Sequence, residues 1–395
     1  MNKKVMSLAL SAAVTFTSIF AGTGITASAA KGITGDGTQD DPYVIMNYSG
    51  LKEYSDIVNS AGEGRFYAKL GADITGSASD PFTSVGDNEE YRIHFDGNGK
   101  TIRNVKVKQN SRTSYAGFFG YLATLEISNV TFENCSISAP KASATAMVVG
   151  GLYSCHGEVK DFQKVTVKNC SVSGGSYVGG LIGSMGAEYT GKGDLYYCVV
   201  QDSMISGTGN NIGGIAGDNL YQLTGCQVLN STVQGTGTAS KNIGGIVGNN
   251  LGDINNSYNL GNVKAEGNSV GGICGLVNGK ISDCYNTGNI ENSGNYAGGI
   301  AGLLYGNDSA KICNSYNIGN ISSIAGGGIA GGVSKGSIEN SFYLEKRVNG
   351  EDGPIIRGTY VKNDSEIKNI SNALGNLFKK DTNNINNGYP ILLWQ

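Results

Sequence analysis

Residues 270–290, with the sequence VGGICGLVNGKISDCYNTGNI, contain the two motifs that decide the fold. The first is a Gly-Gly pair flanked by apolar residues, and the second is a block in which isoleucine, tyrosine, asparagine and glycine recur at short spacing. A glycine in a helix interior costs about 1 kcal/mol, whereas β-branched residues two positions apart are typical of strands. The stretch therefore predicts short strands joined by tight turns.

Both motifs recur along the chain at intervals of 27 to 34 residues. The Gly-Gly core begins at Val149, Val178, Ile212, Ile243, Val270, Ala297 and Gly326, with a degenerate copy at Ala116. The second block recurs most clearly from Ile254, Ile281 and Ile312. Self-similarity at such a period is the signature of a solenoid, and one unit holds about three strands and three turns. The predicted fold class is an all-β parallel β-helix with short helical caps.

The Gly-Gly pairs are predicted to bend the chain. Ile212 and Ile215 are three residues apart, so a straight strand would place their side chains on opposite faces. Both can point inward only if the backbone turns between them, which two residues without a Cβ allow. Valine at Gly214 or Gly245 is therefore expected to be strongly destabilising, and valine at Gly237, taken as a surface position, to be tolerated.

The two ends of the solenoid require covers, because open coils expose strand edges. Residues 49–60 predict a capping helix that begins after Ser49 as N-cap. Its apolar face is formed by Leu51, Tyr54, Ile57 and Val58. A second short amphipathic stretch follows Ser371, and the final YPILLW at 389–394 is expected to pack on the last coil. The predicted segments are a signal peptide at 1–30, an N-terminal cap with the first coils at 31–115, a repeat array at 116–348, and a C-terminal coil and cap at 349–395.

The repeats resemble the GLUG motif, named for a Gly-Leu-x-Gly core, of bacterial surface proteins and of the non-catalytic region of immunoglobulin A-cleaving metallopeptidases. The opening GTQDDPYVI at 37–45 and FDGNGKTI at 95–102 are similar to the start of such proteins, and NNGYPILLW at 386–394 is similar to their terminus. The resemblance covers roughly residues 35–395 and implies a right-handed β-helix. It implies no particular activity, and the chain lacks the HExxH motif of a metallopeptidase.

Composition and the N-terminus indicate where the protein acts. Lys3 and Lys4, an apolar stretch and Ala27-Ser28-Ala29 predict a secretion signal with its cleavage site. With 29 Lys+Arg against 32 Asp+Glu and no long basic run, nucleic-acid binding is not expected. No later segment reaches about 18 apolar residues, so no membrane span is predicted. We expect a secreted, extracellular monomer that binds no metal ion or other cofactor.

Eight cysteines in a secreted chain invite a disulfide framework. Five of them are predicted instead to share one repeat position, in alternation with serine: Cys135, Cys170, Cys198, Cys226 and Cys284. In-register positions of adjacent parallel strands seldom give good disulfide geometry. Free buried thiols are therefore predicted at this column. Cys155 and Cys313 stand outside it, and Cys155 and His156, as neighbours in sequence, are not expected to form a nucleophile–base pair.

Carboxylates offer an enzymatic alternative, in which the protein is a secreted polysaccharide lyase or glycoside hydrolase acting on a complex glycan. Glycoside hydrolysis needs two carboxyls about 5–10 Å apart, and on a β-helix this means matching positions on neighbouring coils. The acidic residues form no such column in the repeats. The candidates in the longest coils are Glu158, Asp161, Glu188, Asp194 and Asp202. They are otherwise expected to be solvated loop charges.

The tyrosine column offers a candidate binding site. Tyr258, Tyr285 and Tyr316 share one repeat position, and each is followed by an asparagine. These asparagines, which could bond to sugar hydroxyls or to each other, are Asn259, Asn286 and Asn317. Stacked aromatic rings stabilise β-helices, and a column that faces solvent would also offer sugar rings a flat platform. The predicted function is an adhesin-like protein that contacts glycan, matrix or a host-surface protein without catalysis, with a purely structural spacer as a further alternative.

Overall fold

The computed structural model describes residues 32–153, 162–185, 194–306 and 308–395. Residues 32–395 form one compact unit, in which the chain winds through nine coils and a partial tenth. The chain passes through four parallel sheets, named A to D here, and every coil but the first and the last has a strand in each of them. Coils are numbered by their sheet A strands, so that coil 1 contains Gly64–Leu70 and coil 10 contains Ser337–Glu339. The predicted parallel β-helix is confirmed, with four or five strands per coil rather than three.

Sheet A is the longest sheet. In coils 2 to 4 its strands are long, and from coil 5 onward each divides into two short strands around a corner residue. Its first two strands, Ile33–Thr34 and Tyr43–Ile45, pair antiparallel, and the strands from Tyr43–Ile45 onward pair parallel. The others are Gly64–Leu70, Ile74–Thr75, Tyr91–Arg103, Thr124–Glu133, Phe162–Lys168, Asp194–Tyr196, Val199–Gln201, Gln222–Thr224, Gln227–Leu229, Asp253–Asn255, Tyr258–Asn259, Lys280–Ser282, Tyr285–Asn286, Lys311–Cys313, Tyr316–Asn317, Ser337–Glu339, Ser341–Leu344 and Thr359–Lys362.

Sheets B, C and D complete each coil. Sheet B comprises Phe82–Thr83, Lys106–Lys108, Ser136–Ala139, Ser171–Gly174, Met204–Gly207, Thr232–Gly235, Asn262–Ala265, Ile290–Asn292 and Ile321–Ser323. Sheet C comprises Tyr115–Ala116, Ala144–Ala146, Val178–Gly179, Ile212–Gly213, Lys241–Gly244, Asn268–Gly271, Ala297–Gly298 and Gly326–Gly327. Sheet D comprises Val85–Asp87, Phe119–Leu122, Val149–Leu152, Ile182–Met185, Ala216–Asn219, Val247–Asn250, Cys274–Val277, Ala301–Leu304 and Ala330–Val333.

The Gly-Gly pairs form the corner between sheets C and D. In coil 5 the side chains of Ile212 and Ile215 are both fully buried, on either side of the glycine pair. Gly214 does not have a positive φ, so space rather than backbone conformation requires a glycine there. A Cβ on Gly214 would overlap the carbonyl oxygen of Gly245 in the next coil. The predicted inward bend is confirmed.

The corners of sheet A are marked by residues with positive φ. Those within sheet A are Tyr197, Gly225, Asn256, Asp283, Asn314 and Asn340, and those leading to sheet B are Asn104, Asn134, Asn169, Asp202 and Asn230. Asparagine tolerates the left-handed region, and its side chain can bond to neighbouring groups. Asn314 Nδ2 donates to Asp283 Oδ1 at 3.2 Å, and Asn340 Nδ2 donates to Asn314 Oδ1 at 2.9 Å. The corners therefore carry their own hydrogen-bonded columns.

The cysteines follow two of these corners, so the predicted single column is wrong. Strand pairing places Cys198, Cys226 and Cys284 at the corner within sheet A, and Cys135 and Cys170 at the corner leading to sheet B. The backbone N–H of Cys170 donates to Ser203 Oγ at 3.0 Å, so the second column continues as serine. The two columns could not be told apart from the sequence, because at both corners a turn residue is followed directly by cysteine. The seven cysteines in the described ranges are free and buried; Cys155 and His156 lie outside the described residues.

A helix at Tyr48–Ala61 closes the N-terminal end, which confirms the predicted cap to within one residue at each end. Its N-cap is Asn47 rather than the predicted Ser49. The Asn47 side chain accepts a hydrogen bond of 2.9 Å from the backbone N–H of Gly50, which satisfies one of the unpaired donors of the first turn.

The C-terminal residues differ from the prediction. Residues after Ser371 form turns, and the short helix lies earlier, at Asp364–Ile367. Residues 363–395, called the C-terminal strap here, run back along the outer face of sheet A instead of covering the last coil. Within the strap, Phe378–Lys379 and Ile391–Leu392 form an antiparallel pair. The strap packs there because its apolar side chains and the aromatic column of sheet A form one buried cluster.

Candidate functional site

The tyrosine column is assembled as the repeat alignment predicts. Tyr258, Tyr285 and Tyr316 are in register on successive coils, and Phe342 continues the column in coil 10. The ring centroids are 4.7 Å apart in the first tyrosine pair and 5.1 Å apart in the second, with interplanar angles of 2° and 6°. The rings form a stacked ladder on the outer face of sheet A.

The C-terminal strap covers this ladder. Trp394 packs against Tyr258 with 5.8 Å between ring centroids, and Gln395 Nε2 donates to the Tyr285 hydroxyl at 2.8 Å. The exposed fractions of Tyr258, Tyr285 and Tyr316 are 6%, 1% and 0%. A platform for sugar rings requires a column that faces solvent, and this condition is not met while the strap is in place.

The three asparagines beside the ladder point into the core. Asn259 Nδ2 donates to Asn286 Oδ1, and Asn286 Nδ2 donates to Asn317 Oδ1, both at 2.8 Å. Asn317 Oδ1 also accepts from the backbone N–H of Gly319 at 3.1 Å. All three asparagines are fully buried. The sequence left open whether these asparagines bond to sugar hydroxyls or to each other. In the structure they bond to each other and to the turns that follow them.

The candidate carboxylates are held at separate places. Glu158, Asp161 and Glu188 lie outside the described residues. Asp194 lies on sheet A, where its carboxylate accepts a hydrogen bond of 2.6 Å from the Tyr196 hydroxyl. Asp202 is a corner residue with φ of 50° and accepts from Asn230 Nδ2 at 3.2 Å. The two described carboxylates are therefore each paired with neighbours of their own.

A different group of polar side chains lies at the other end of sheet A, on coils 1 to 3. Tyr67, His94 and Glu126 are in register on three adjacent strands. The rings of Tyr67 and His94 are stacked, with centroids 4.2 Å apart, and His94 Nδ1 lies 2.9 Å from Glu126 Oε2. Arg65 Nη1 lies 3.4 Å from His94 Nε2. A neutral imidazole in this setting donates through Nδ1 to the carboxylate and accepts through Nε2 from the guanidinium.

A second row runs beside the first. Lys69, Asp96 and Ser128 are in register two residues further along the same strands, so they share the outer face. Ser128 Oγ donates to Asp96 Oδ1 at 3.4 Å. The two rows and the preceding loop with Gln39 and Pro42 enclose a shallow cavity of about 210 Å³. These two rows and the loop are called the N-terminal groove.

The N-terminal groove combines an aromatic ring with donors and acceptors of both charges. The side chains of His94 and Glu126 are 16% and 49% exposed, so both reach the surface. Lysine, carboxylate and imidazole groups can all form hydrogen bonds to hydroxyl groups. The groove is therefore suited to a small polar ligand.

The sequence analysis missed this groove because it lies in coils that precede the Gly-Gly repeats. A signal was nevertheless present: RFYAK at 65–69 and RIHFD at 92–96 lie 27 residues apart, the shortest spacing of the repeats. In both segments a cation, an aromatic ring and a second charged residue alternate with apolar residues. This alternation is typical of a strand that buries one face.

Asp218 lies on sheet D and is buried, with an exposed fraction of 8%. Its Oδ1 accepts a hydrogen bond of 2.9 Å from Asn249 Nδ2 of the next coil. Burial raises the pKa of this carboxyl from 3.8 to about 6. Because the folded-state pKa is above the unfolded value, ionisation costs stability: the cost is absent below pH 4 and complete above pH 6.

Asp218→Asn should therefore raise the free energy of unfolding at pH 7 by up to about 3 kcal/mol. Asparagine already fills the equivalent position of the next coil, at Asn249, so the new amide fits the column. The gain should shrink to nothing as the pH falls to about 4. Urea unfolding at pH 4, 5.5 and 7 measures it, with the exposed Asp253→Asn as control. A loss of stability at pH 7 would contradict the assignment.

Other kinds of site find no support among the residues that the structure describes. These ranges hold no group of three or more His, Cys, Asp or Glu side chains placed to bind a metal ion. Burial raises the pKa of the Cys274 and Cys284 thiols, which keeps them protonated and unreactive. No helix in the same ranges is long and apolar enough to cross a membrane.

The chain is thus a parallel β-helix, and residues 266–291, in coils 7 and 8, match the family model described as the GLUG motif. This match confirms the resemblance noted from the repeats. Halomucin from Haloquadratum walsbyi is 30% identical over 164 residues, which cover 38% of this chain and 2% of halomucin. The chain therefore spans only a small part of that relative. A solved structure of a Bacteroides ovatus protein, provisionally assigned as an immunoglobulin A1 protease, aligns with 92% of this chain and 95% of its own, at 22% identity and a TM-score of 0.43.

Proposed function

We propose that the protein is a secreted β-helical binding protein that contacts a glycan through the N-terminal groove without cleaving it. The observation that carries the proposal is the pair of in-register rows on coils 1 to 3, with Tyr67 and His94 in one and Lys69 and Asp96 in the other. The extracellular location in this proposal rests on the signal peptide predicted at 1–30. The rigid sheet supports the proposal further, because side chains held on strands need little ordering when a ligand binds.

Each row has its own part in the proposed recognition. Lys69 and Asp96 are exposed, and they would bond to vicinal hydroxyls as donor and acceptor. Tyr67 is half-buried with one ring face stacked on His94, and the exposed part of the ring would give a sugar an apolar contact. Sheet A continues beyond coil 3, so further sugar units could contact its outer face next to the groove.

A glycan array probed with the purified protein tests this proposal. The glycan that gives the strongest signal is then titrated by calorimetry against Tyr67→Ala and Asp96→Ala, and each variant should weaken binding by about tenfold or more. Lys69→Ala should do the same, whereas Lys280→Ala, on the same face of sheet A in coil 8, should leave the affinity unchanged. Equal binding by all four variants, or no bound glycan on the array, would contradict the proposal.

Glycan cleavage is the second candidate function, favoured by the position of His94. The Glu126 carboxylate can orient this imidazole as it would a general base, and Asp96 lies on the same strand. For Nε2 to accept a proton from a substrate, the Arg65 guanidinium, 3.4 Å away, has to move off it. If the groove cleaves glycans, incubation with a bound polysaccharide should release new reducing ends or unsaturated products. His94→Gln should then abolish release while retaining binding. Binding without release by the unmodified protein leaves the non-catalytic function.

A further inference from the structure

A second groove lies on the outer face of sheet B, where four adjacent coils each contribute one polar side chain. These side chains are in register on the strands of coils 6 to 9: Gln234, Lys264, Glu291 and Ser322. Glu266 and Ser293, both exposed, lie two positions after Lys264 and Glu291 and form a second, shorter row. The two rows line a cavity of about 450 Å³, larger than the 210 Å³ of the N-terminal groove. They are called the sheet B groove.

The residues between the two rows are buried and form the floor of the groove. Gly235, Ala265 and Asn292 are in register on three adjacent strands. The backbone N–H of Ser293 donates to the Ala265 carbonyl at 3.1 Å, and Asn292 Oδ1 accepts from the N–H of Gly294 at 3.1 Å. The floor is therefore held by hydrogen bonds within the chain, so a ligand that binds there orders little backbone.

The groove carries charges of both signs with an excess of negative charge. Lys264 Nζ lies 3.0 Å from Glu291 Oε2, and the two side chains are 44% and 58% exposed. Glu266 adds a second carboxylate to the lining. One lysine against two glutamates repels a ligand that bears acid groups of its own. The electrostatics therefore favour an uncharged ligand.

The lining favours a ligand that is held by hydrogen bonds. The lysine donates, the glutamates accept, and Gln234 and Ser322 can do both. Among the described residues that line the groove, none is aromatic or large and apolar, although such side chains anchor most protein partners. A peptide could not add to this surface as an extra strand either, because the strands of coils 7 and 8 are paired on both sides. A polyhydroxylated ligand needs neither feature.

The direction of the first row indicates the shape of the ligand. The row runs along the rod and offers one polar side chain per coil, at intervals of about 4.8 Å. A ligand whose hydroxyl groups recur along its length can contact several coils at once. A linear polysaccharide that lies along the rod therefore fits this groove better than an isolated sugar does.

We propose that the sheet B groove binds an uncharged linear polysaccharide along the rod, through Gln234, Lys264, Glu291 and Ser322. The proposal adds a second glycan site to the one on coils 1 to 3. It does not depend on the N-terminal groove, because the two grooves share no residue and lie on different sheets.

A glycan array that pairs uncharged linear hexasaccharides with their uronic-acid counterparts tests the proposal. The array is probed with the Tyr67→Ala variant, which lacks the aromatic contact of the N-terminal groove. This variant should bind at least one uncharged hexasaccharide, and it should bind the uronic-acid counterpart at least tenfold more weakly. A variant that binds no uncharged glycan, or that prefers the uronic-acid form, overturns the proposal.

Calorimetry with the strongest of these uncharged hexasaccharides locates the contact. In the Tyr67→Ala background, Lys264→Ala and Glu291→Ala should each weaken binding by about tenfold or more. Lys106→Ala is the matched control, because this lysine is exposed on the same face of sheet B in coil 2. It should leave the affinity unchanged, and equal affinities for all three variants overturn the proposal. Thermal unfolding of each variant checks that the fold is retained.

Glu266→Lys tests the role of charge. The substitution gives the groove an excess of positive charge, so the preference for the uncharged glycan over its uronic-acid counterpart should fall by about tenfold or more. An unchanged preference would contradict the charge argument. If the N-terminal groove binds no glycan, the unmodified protein and Tyr67→Ala bind alike, and the effects of Lys264→Ala and Glu291→Ala remain. The two sites can therefore fail separately.

Discussion

Gly214→Val should lower the free energy of unfolding by about 3 kcal/mol or more. The added Cβ would overlap the carbonyl oxygen of Gly245 in the next coil and lie 2.7 Å from Val228 Cγ2 inside the core. Neither group can move away freely, because the first belongs to a backbone paired with two neighbouring coils and the second is fully buried. The coils on both sides should loosen, since solenoid stability passes through nearest-neighbour contacts.

Thermal and urea unfolding measure this loss, and the choice of control matters. Gly237, which the sequence suggested as a tolerant surface position, is unsuitable, because a Cβ there would overlap the carbonyl oxygen of Thr208. Gly99 has no atom within 4 Å of such a Cβ and a φ of 69°, which asparagine accepts. Gly99→Asn should therefore change stability by less than about 1 kcal/mol. If Gly214→Val were equally mild, the close packing of backbone at the Gly-Gly corner would be wrong.

Leu392→Lys should detach the C-terminal strap from sheet A. Leu392 is fully buried in the cluster around the tyrosine ladder, and a lysine there would place an unpaired charge among aromatic rings. The expected cost is about 3 kcal/mol or more, concentrated in the strap itself. Trp394, the only tryptophan of the chain, lies against Tyr197 and Tyr258 and reports the change. Its emission should shift to longer wavelength and become accessible to quenchers in the variant.

The adjacent residue supplies a matched control. Leu393 is 51% exposed, so Leu393→Lys makes the same chemical change one position away and should leave the tryptophan emission unaltered. An identical spectrum for the two variants would show that the strap does not rest on the ladder. The Leu392→Lys variant also uncovers Tyr258, Tyr285 and Tyr316, so a glycan array run on it tests whether the freed ladder binds sugars.

The repeated parts of the fold could be predicted because each coil imposes the same physical demands. A close backbone contact at the corner between sheets C and D accepts only glycine, so Gly-Gly recurs. The alternation of apolar residues marks the inward side of every strand. The tyrosine register was predictable for the same reason, since Tyr258, Tyr285 and Tyr316 lie at matching positions of nearly identical blocks.

The parts that could not be predicted depend on contacts between distant or dissimilar segments. Nothing local distinguishes the corner before Cys170 from the corner before Cys198, and only the pairing of Thr166 with Val199 assigns them to different columns. The path of the strap is set by residues far apart, such as Tyr285 and Gln395, which are 110 positions apart. The groove at His94 draws on coils 1 to 3, where the spacing changes from 27 to 32 residues between matching positions.

The C-terminal strap also limits how many coils the protein can gain or lose during evolution. Repeat proteins gain and lose whole units by recombination, and a coil added elsewhere would simply lengthen the rod. Between Tyr285 in coil 8 and Tyr316 in coil 9, however, one extra coil would move the strap by about 4.8 Å relative to its contacts on coils 5, 7 and 8. Trp394 would then no longer reach Tyr258, nor Gln395 reach Tyr285. Length variation among natural relatives should therefore be confined to the coils before coil 5, or be accompanied by an equal change in the length of the strap.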